Sequence, residues 1–351
     1  MFRITRRSVL AGIAAGSGPA LLRPGRGWAA AASPAPAPLA ELTLWGPPAG
    51  PSITLVHAIA SGLLRPVADK VVFKAWRTPD ELRAGLTSGT MKTFVLPTQS
   101  AANLFNKGLG IRLVNVMTNG LLHLVSADPS LSSISALKGR TVALPFRNDT
   151  PEFVLRRLLA AGGLASDAAP GGEKAGGERA GGEKVALQFT GTPMEAIQLL
   201  VTGRADAALL PEPAASAAIL RAGQAGRTVT RVIDIQQAWG AATGLGTDLP
   251  QAGLGVTGDF LAQHAPAVEA LHAALAAATL SVNAGPARAA NDAAAPLGLP
   301  WPVIEQAIPH SRLVCQRASA ARNSLESLFR VVSEFDPRII GGALPAADFY
   351  L

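Results

Sequence analysis

The groups able to do chemistry fall in four short turns, each opening a segment of helical pattern. The first runs Trp45-Gly46-Pro47-Pro48-Ala49-Gly50-Pro51-Ser52. There glycine lets backbone approach a ligand closely, and Ser52 offers a hydroxyl. The second holds Thr98, Gln99 and Ser100, which supply two hydroxyls and an amide. The third carries Arg147, the one cation in the four turns, followed by Asn148, Asp149 and Thr150. Arg147 can clamp a carboxylate, sulfonate or phosphate through its planar fork, or it can pair at the surface with Asp149. The fourth sets Glu212 between Pro211 and Pro213. That carboxylate can accept from a ligand amine or from the facing lobe, or it can stabilise its own helix start. Trp45, Trp76 and Trp239 are faces on which a solute can stack, or core. Asn119 is either a contact or a plain turn. These groups bind; none forms a set that turns a substrate over.

The five histidines, His57, His123, His264, His272 and His310, lack metal-ligand spacing. No Gly-x-Ser-x-Gly, phosphate-binding loop or dinucleotide fingerprint follows a strand pattern. The single cysteine, Cys315, excludes an intramolecular disulfide and a cysteine-rich metal site, and its apolar neighbours read as burial. The expectation is a binding protein, not an enzyme, with no cofactor and no metal.

The elements that must position the turns are written twice. Thr78-Pro79-Asp80-Glu81, Leu86, Ser88-Gly89 and Leu96-Pro97 recur as Thr192-Pro193-Met194-Glu195, Leu200, Thr202-Gly203 and Leu210-Pro211. Thr caps, Pro takes the first helical position, Glu suits the helix dipole, Gly stops the helix, and an apolar strand follows. The copy extends back to Pro51 and Pro151, which lie 28 and 42 residues before the repeated Pro. The excess of 14 is the length of the Gly-Gly-Glu-Lys/Arg-Ala tract at 171–184. Two α/β lobes follow, with sheets covered by helices. Ligands of such sheets lie beyond the C-terminal strand ends, so the four turns are expected to face one another across a cleft. The expected division is lobe 1 at 39–120 and 257–351 and lobe 2 at 121–256. Crossovers are placed near Asn119 and at 254–257.

Composition bounds the rest. The chain has 351 residues, 48% apolar, with a formal charge of +7. Arg3, Arg6, Arg7, Arg23 and Arg26 supply five of those charges with no acid among residues 1–32. Removing them leaves 26 basic against 24 acidic residues, a net +2, and no basic stripe for nucleic acid. Thr5-Arg6-Arg7-Ser8-Val9-Leu10, a small apolar run and Ala29 to Ala32 read as a twin-arginine export signal over 1–32. Residues 33–38 form a Pro/Ala linker. No later apolar run reads as long enough to span a bilayer, so a soluble periplasmic product is expected.

The run Thr192 to Ser216 resembles a signature stretch of periplasmic substrate-binding proteins of ABC importers. The likeness is to the sulfonate, nitrate and thiamine-precursor branch. Leu137-Lys138-Gly139-Arg140-Thr141-Val142 and Gly258-Asp259-Phe260-Leu261 support it, over roughly 39–338. The resemblance implies the two-lobed periplasmic binding protein type II fold of the α/β class, each lobe a mainly parallel sheet flanked by helices, with two hinge crossovers. It implies capture of a small anionic or zwitterionic organic solute and delivery, as a monomer, to an ABC permease of the inner membrane. The alternatives are a ligand-sensing subunit of a membrane receptor and a pyrimidine-precursor synthase-like enzyme. The latter's cysteine-rich motif is missing here. The implied site is Trp45, Pro48, Ala49, Gly50, Ser52, Thr98, Gln99, Ser100, Asn119, Arg147, Asn148, Asp149, Thr150, Glu212 and Trp239.

Overall fold

In the computed structural model, which describes residues 37–167 and 183–351, the duplicated pattern becomes two six-stranded sheets. The expected signal segment, the expected linker up to residue 36 and the tract up to residue 182 lie outside the described residues. The first run is β1 (Leu39–Gly46), α1 (Gly50–Ala60), β2 (Ala68–Ala75), α2 (Pro79–Thr87), β3 (Thr93–Pro97), α3 (Thr98–Asn106) and β4 (Ile111–Thr118). The second is β5 (Leu122–Ser126), β6 (Thr141–Pro145), α4 (Thr150–Ala161), β7 (Ser166–Asp167), β8 (Val185–Thr190), α5 (Pro193–Val201), β9 (Ala207–Pro211), α6 (Ala214–Gln224), β10 (Thr230–Asp234) and α7 (Ile235–Thr243). The chain returns through β11 (Ala252–Thr257), α8 (Gly258–Ala284), α9 (Pro286–Leu297), α10 (Trp301–Ala307), β12 (Leu313–Arg317) and α11 (Arg322–Ser333).

The sheets repeat one plan. The order β2-β1-β3-β11-β4 in the first matches β8-β6-β9-β5-β10 in the second, with β12 and β7 added at the edges. The duplicated strands pair parallel, β1 with β2 and β3, and β6 with β8 and β9. Antiparallel pairings enter where a strand arrives from the other lobe, β11 between β3 and β4 and β5 between β9 and β10, and again where β12 pairs with β4 at the edge. Both sheets are therefore mixed.

The repeated helices start by the same device. Thr78 Oγ1 accepts from Glu81 N at 3.2 Å, and Thr192 Oγ1 from Glu195 N at 3.3 Å. Each Glu reaches back to the N–H before the cap, Arg77 N at 2.8 Å and Gly191 N at 3.0 Å. This reciprocal box satisfies donors that the first turn leaves orphaned. Gly89 and Gly203 follow the helix ends at φ +72° and +73°, which a side chain would strain.

The crossovers lie side by side and are bonded together. Leu249 N donates to Asn119 O at 3.0 Å, and Leu121 N to Gln251 Oε1 at 2.8 Å. Gly120 has φ +138°, and a Cβ there would lie 2.2 Å from the Gln236 side chain. The expected return at 254–257 is corrected. Ala252–Thr257 is already laddered between β3 and β4, so the crossing occupies 244–251.

Four elements escaped the periodicity. α7 is short and follows its strand without a linker. α9 is Ala-rich with Pro296 inside, and β7 and β12 are edge strands of two and five residues. Helix α8 is long and apolar enough, at a mean hydropathy of 1.4, to meet the composition of a membrane span, contrary to the sequence expectation. It breaks at His264, two residues before Pro266. Its residues Val268, Leu271, Leu275, Ala278 and Val282 recur at alternating steps of three and four and are buried. That stripe packs on the first sheet and on α9, as the core helix of a globular domain does.

Candidate functional site

All four turns reach one cavity of about 440 Å³ between the two sheets. Pro47, Pro48 and Ala49 enter from the β1–α1 turn, and Pro97 and Ser100 from β3–α3. Phe146, Arg147, Asn148, Asp149 and Thr150 enter from β6–α4, and Pro211, Glu212 and Pro213 from β9–α6. Each turn sits at a C-terminal strand end, as the doubly written pattern requires. Trp76, Leu82 and the prolines make the walls mostly apolar.

The turn around Arg147 is strained. Phe146 and Asn148 hold φ of 59° and 61°, a region that costs a non-glycine residue ~1–3 kcal/mol. Neighbours over-determine it: Phe146 N donates to Thr190 O at 3.0 Å, and Asn148 N to Glu152 Oε2 at 2.7 Å. The turn thereby places Arg147 on the cavity wall, its guanidinium 4.8 Å above the Phe189 ring. Asp149 caps α4 through Thr150 N at 2.7 Å and accepts from Gln99 Nε2, in the facing lobe, at 2.6 Å. Burial pushes its carboxyl above the usual range, against the pull of those hydrogen bonds. Thr150 Oγ1 is buried beside the cavity, next to the Asp149 carboxylate.

Helix N-termini offer an anion free N–H groups and partial positive charge, but several of these N–H groups are already bonded. In α1, Gly50 N bonds Glu212 O across the lobes at 3.3 Å, Pro51 has no N–H, and Ser52 N returns to Ala49 O. In α4, Thr150 N and Glu152 N both return to Asp149, and Pro151 has no N–H. In α6, Ser216 N goes to Glu212 Oε2 at 3.1 Å. Side-chain cations add positive charge to the cavity wall. They are Arg147 from the second lobe and Arg77 and Arg83 from the first, the last two missed by the sequence reading. The missed signal was that β2, like β1 and β3, ends toward the cleft, so the turn after Trp76 belongs to the site.

Several expected contacts have other work. Glu212 is fully buried and forms an ion pair with Arg231 of its own lobe. Burial raises its pKa and the Arg231 guanidinium opposes that, so its carboxylate is not offered to a solute amine. Thr98 Oγ1 donates to Pro250 O at 2.6 Å and pins the return crossover. Asn119 is a crossover residue bonded through its backbone to Arg312 and Leu249. Trp239 is core, and Trp45 lies under Lys74 with its ring 5.4 Å from the ammonium; neither lines the cavity. Gly50 packs against Ser311, where a Cβ would meet Oγ at 3.0 Å. Ser52 is buried in the space that Gly46 leaves open. Gln99 and Ser100 lie at the cavity's outer edge.

The scattered histidines include one constellation that spacing did not reveal. His57 Nδ1 and Nε2 lie 2.8 Å from Asp292 Oδ2 and Ser281 Oγ respectively, joining α1, α8 and α9. Ser281 stands inside α8, where backbone N–H groups are spent within the helix. The relay ties the helices behind the first turn together and lacks donors for an oxyanion. Among the described residues, no group of three His, Cys, Asp or Glu side chains could hold a metal.

The profile of the NMT1-like family matches residues 78–298. An ABC transporter structure from Parabacteroides distasonis is 24% identical, with a TM-score of 0.66 over 89% of this chain and 98% of that one. The periplasmic aliphatic sulphonate binding protein SsuA from Escherichia coli is 18% identical, with a TM-score of 0.63 over 84% and 86%. The periplasmic nitrate-binding protein NrtA from Synechocystis PCC 6803 is 14% identical, with a TM-score of 0.58 over 77% and 70%. No curated protein matches the sequence.

Proposed function

The chain belongs to the NMT1-like family, and from that premise we propose that it is the exported solute-binding component of an ABC importer. It captures a small organic anion, or a zwitterion with an anionic group, between its lobes and delivers it to an inner-membrane permease. The observation that carries this reading is the convergence of all four repeat-related turns on one cavity with arginines from both lobes. The similarly folded sulphonate and nitrate binders above support the anionic class.

The charges explain why closure waits for a solute. Arg147 lines the cavity with Arg77 and Arg83, the last also paired with Asp80 at 2.8 Å. Of the acids lining the cavity, Glu212 is paired with Arg231, and burial pushes the Asp149 carboxyl above its usual range. An anion between the cations removes their repulsion and binds only the closed form well. That differential affinity shifts the population. The apolar walls favour an organic body over a bare inorganic ion. The reading of export rests on the twin-arginine pattern at 1–32, which supports delivery in the periplasm.

A thermal-shift screen of chain 39–351 with organic sulfonates, carboxylates, nitrate and pyrimidines tests the reading. Organic anions should raise the melting temperature most. Stabilisation by neutral pyrimidines alone, or by none of the four classes, would overturn it.

A further inference from the structure

A second hollow, of about 740 Å³, opens directly outside the inner cavity and shares Pro79, Leu82, Arg83, Ser100 and Asn148 with it. Its chemistry differs from that of the inner space. Arg83, Lys107, Arg156 and Arg338 line it, against two acids, Glu152 and Asp336. Those acids are occupied: Arg156 Nε binds Glu152 at 2.8 Å, and Arg338 Nη2 binds Asp336 at 2.7 Å. Lys107, at the C-terminal end of α3, has no carboxylate partner among the described residues. Phe335, 40% exposed, stacks on Phe153 of the second lobe at 6.3 Å, giving an aromatic wall. Asn103 and Asn106 of α3 hold the segment after Phe335 in place through the carbonyls of Arg338, Ile339, Ile340 and Ala343. At the junction, Gln99 is 3% exposed and its Oε1 has no partner, so it is placed to accept from a solute N–H or O–H.

We propose that this outer groove is a second subsite of the same cleft, taking the far anionic end of an elongated organic dianion. The first anionic group meets Arg147, the apolar body fills the inner cavity, and the far end lies against Lys107. This rests on the proposed function and names the shape and charge of the solute more closely. A chain too long for the inner cavity is then accommodated without opening the lobes.

Calorimetry with chain 39–351 compares octanesulfonate with the same chain ending in a carboxylate, ω-sulfooctanoate. One added exposed ion pair predicts about three- to fivefold tighter binding of the dianion at low salt. Lys107→Ala should abolish that gain and leave octanesulfonate affinity unchanged. Lys107→Arg should restore the gain. Equal affinities for the two compounds, or a Lys107→Ala loss of equal size for both, overturn the outer subsite alone. Binding of neither compound overturns the proposed function and the subsite together.

Discussion

His123 should make the protein sensitive to acid at the joint between its lobes. It lies on β5, the first strand of the second lobe, with its Nε2 2.9 Å from the His310 carbonyl of the returning chain. That nitrogen donates to the carbonyl, a bond that opposes the shift, while burial disfavours the charged ring and holds it neutral near pH 7. Burial, helped by the Arg231 and His310 charges, lowers its pKa from 6.5 to about 4. The folded-state value is the depressed one, so the unfolded chain takes up the proton first. Stability is complete above about pH 6.5 and falls as the pH drops through the window to about 4. At ~1.36 kcal/mol per tenfold step the full loss is ~3.4 kcal/mol, of which ~2.5 kcal/mol has gone by about pH 4.5. Urea unfolding of wild type and His123→Gln at about pH 7.5 and about pH 4.5 isolates this contribution, because carboxylates titrate alike in both proteins. The variant should lose ~2.5 kcal/mol less than wild type on acidification. Parallel losses in the two proteins would refute the assignment of a neutral, buried His123.

Three further outcomes follow from the same geometry. Glu212→Ala leaves Arg231 beside the cavity without its partner, and urea unfolding should show a loss of ~3–5 kcal/mol. A loss under ~1 kcal/mol would mean that the pair is solvated, as exposed pairs are. Cys315 has its thiol pushed up to about 11 from 9.0, chiefly by burial. Its alkylation near pH 8 should run roughly a hundredfold slower than that of an exposed peptide thiol, since the thiolate is the reacting form. A serine-directed fluorophosphonate should leave Ser281 unlabelled, while Asp292→Ala lowers stability by ~1–3 kcal/mol through the unpaired His57. Stoichiometric labelling would instead make the relay a catalytic device.

The sequence showed the repeat because the repeat is local chemistry. Thr78 and Thr192 cap, Pro79 and Pro193 open, and Gly89 and Gly203 close with the same geometry in both lobes. Turn positions followed from the rule that ligands gather at C-terminal strand ends, and Arg147 and Ser100 do line the cavity. What the residues do once there was not legible. Glu212 meets Arg231, 19 positions later, only when β10 pairs with β5, and Asp149 meets Gln99 only across the lobes. The left-handed backbone at Phe146 carries no sequence signature, whereas Asn148 is of a type enriched at positive φ and could have hinted at the turn. The return crossover was misplaced because Ala252–Thr257, small and apolar, reads alike as a strand or as a linker.

The central claim is that an organic anion is held between the lobes with Arg147 as a clamp. Its most direct test is a calorimetric titration of chain 39–351 with octanesulfonate, wild type beside Arg147→Ala. One site per chain is predicted, with affinity falling about tenfold or more in the variant, the equivalent of ~1.5–3 kcal/mol for a charge-assisted bond. Unchanged affinity in Arg147→Ala, or more than one equivalent site per chain, would contradict the account.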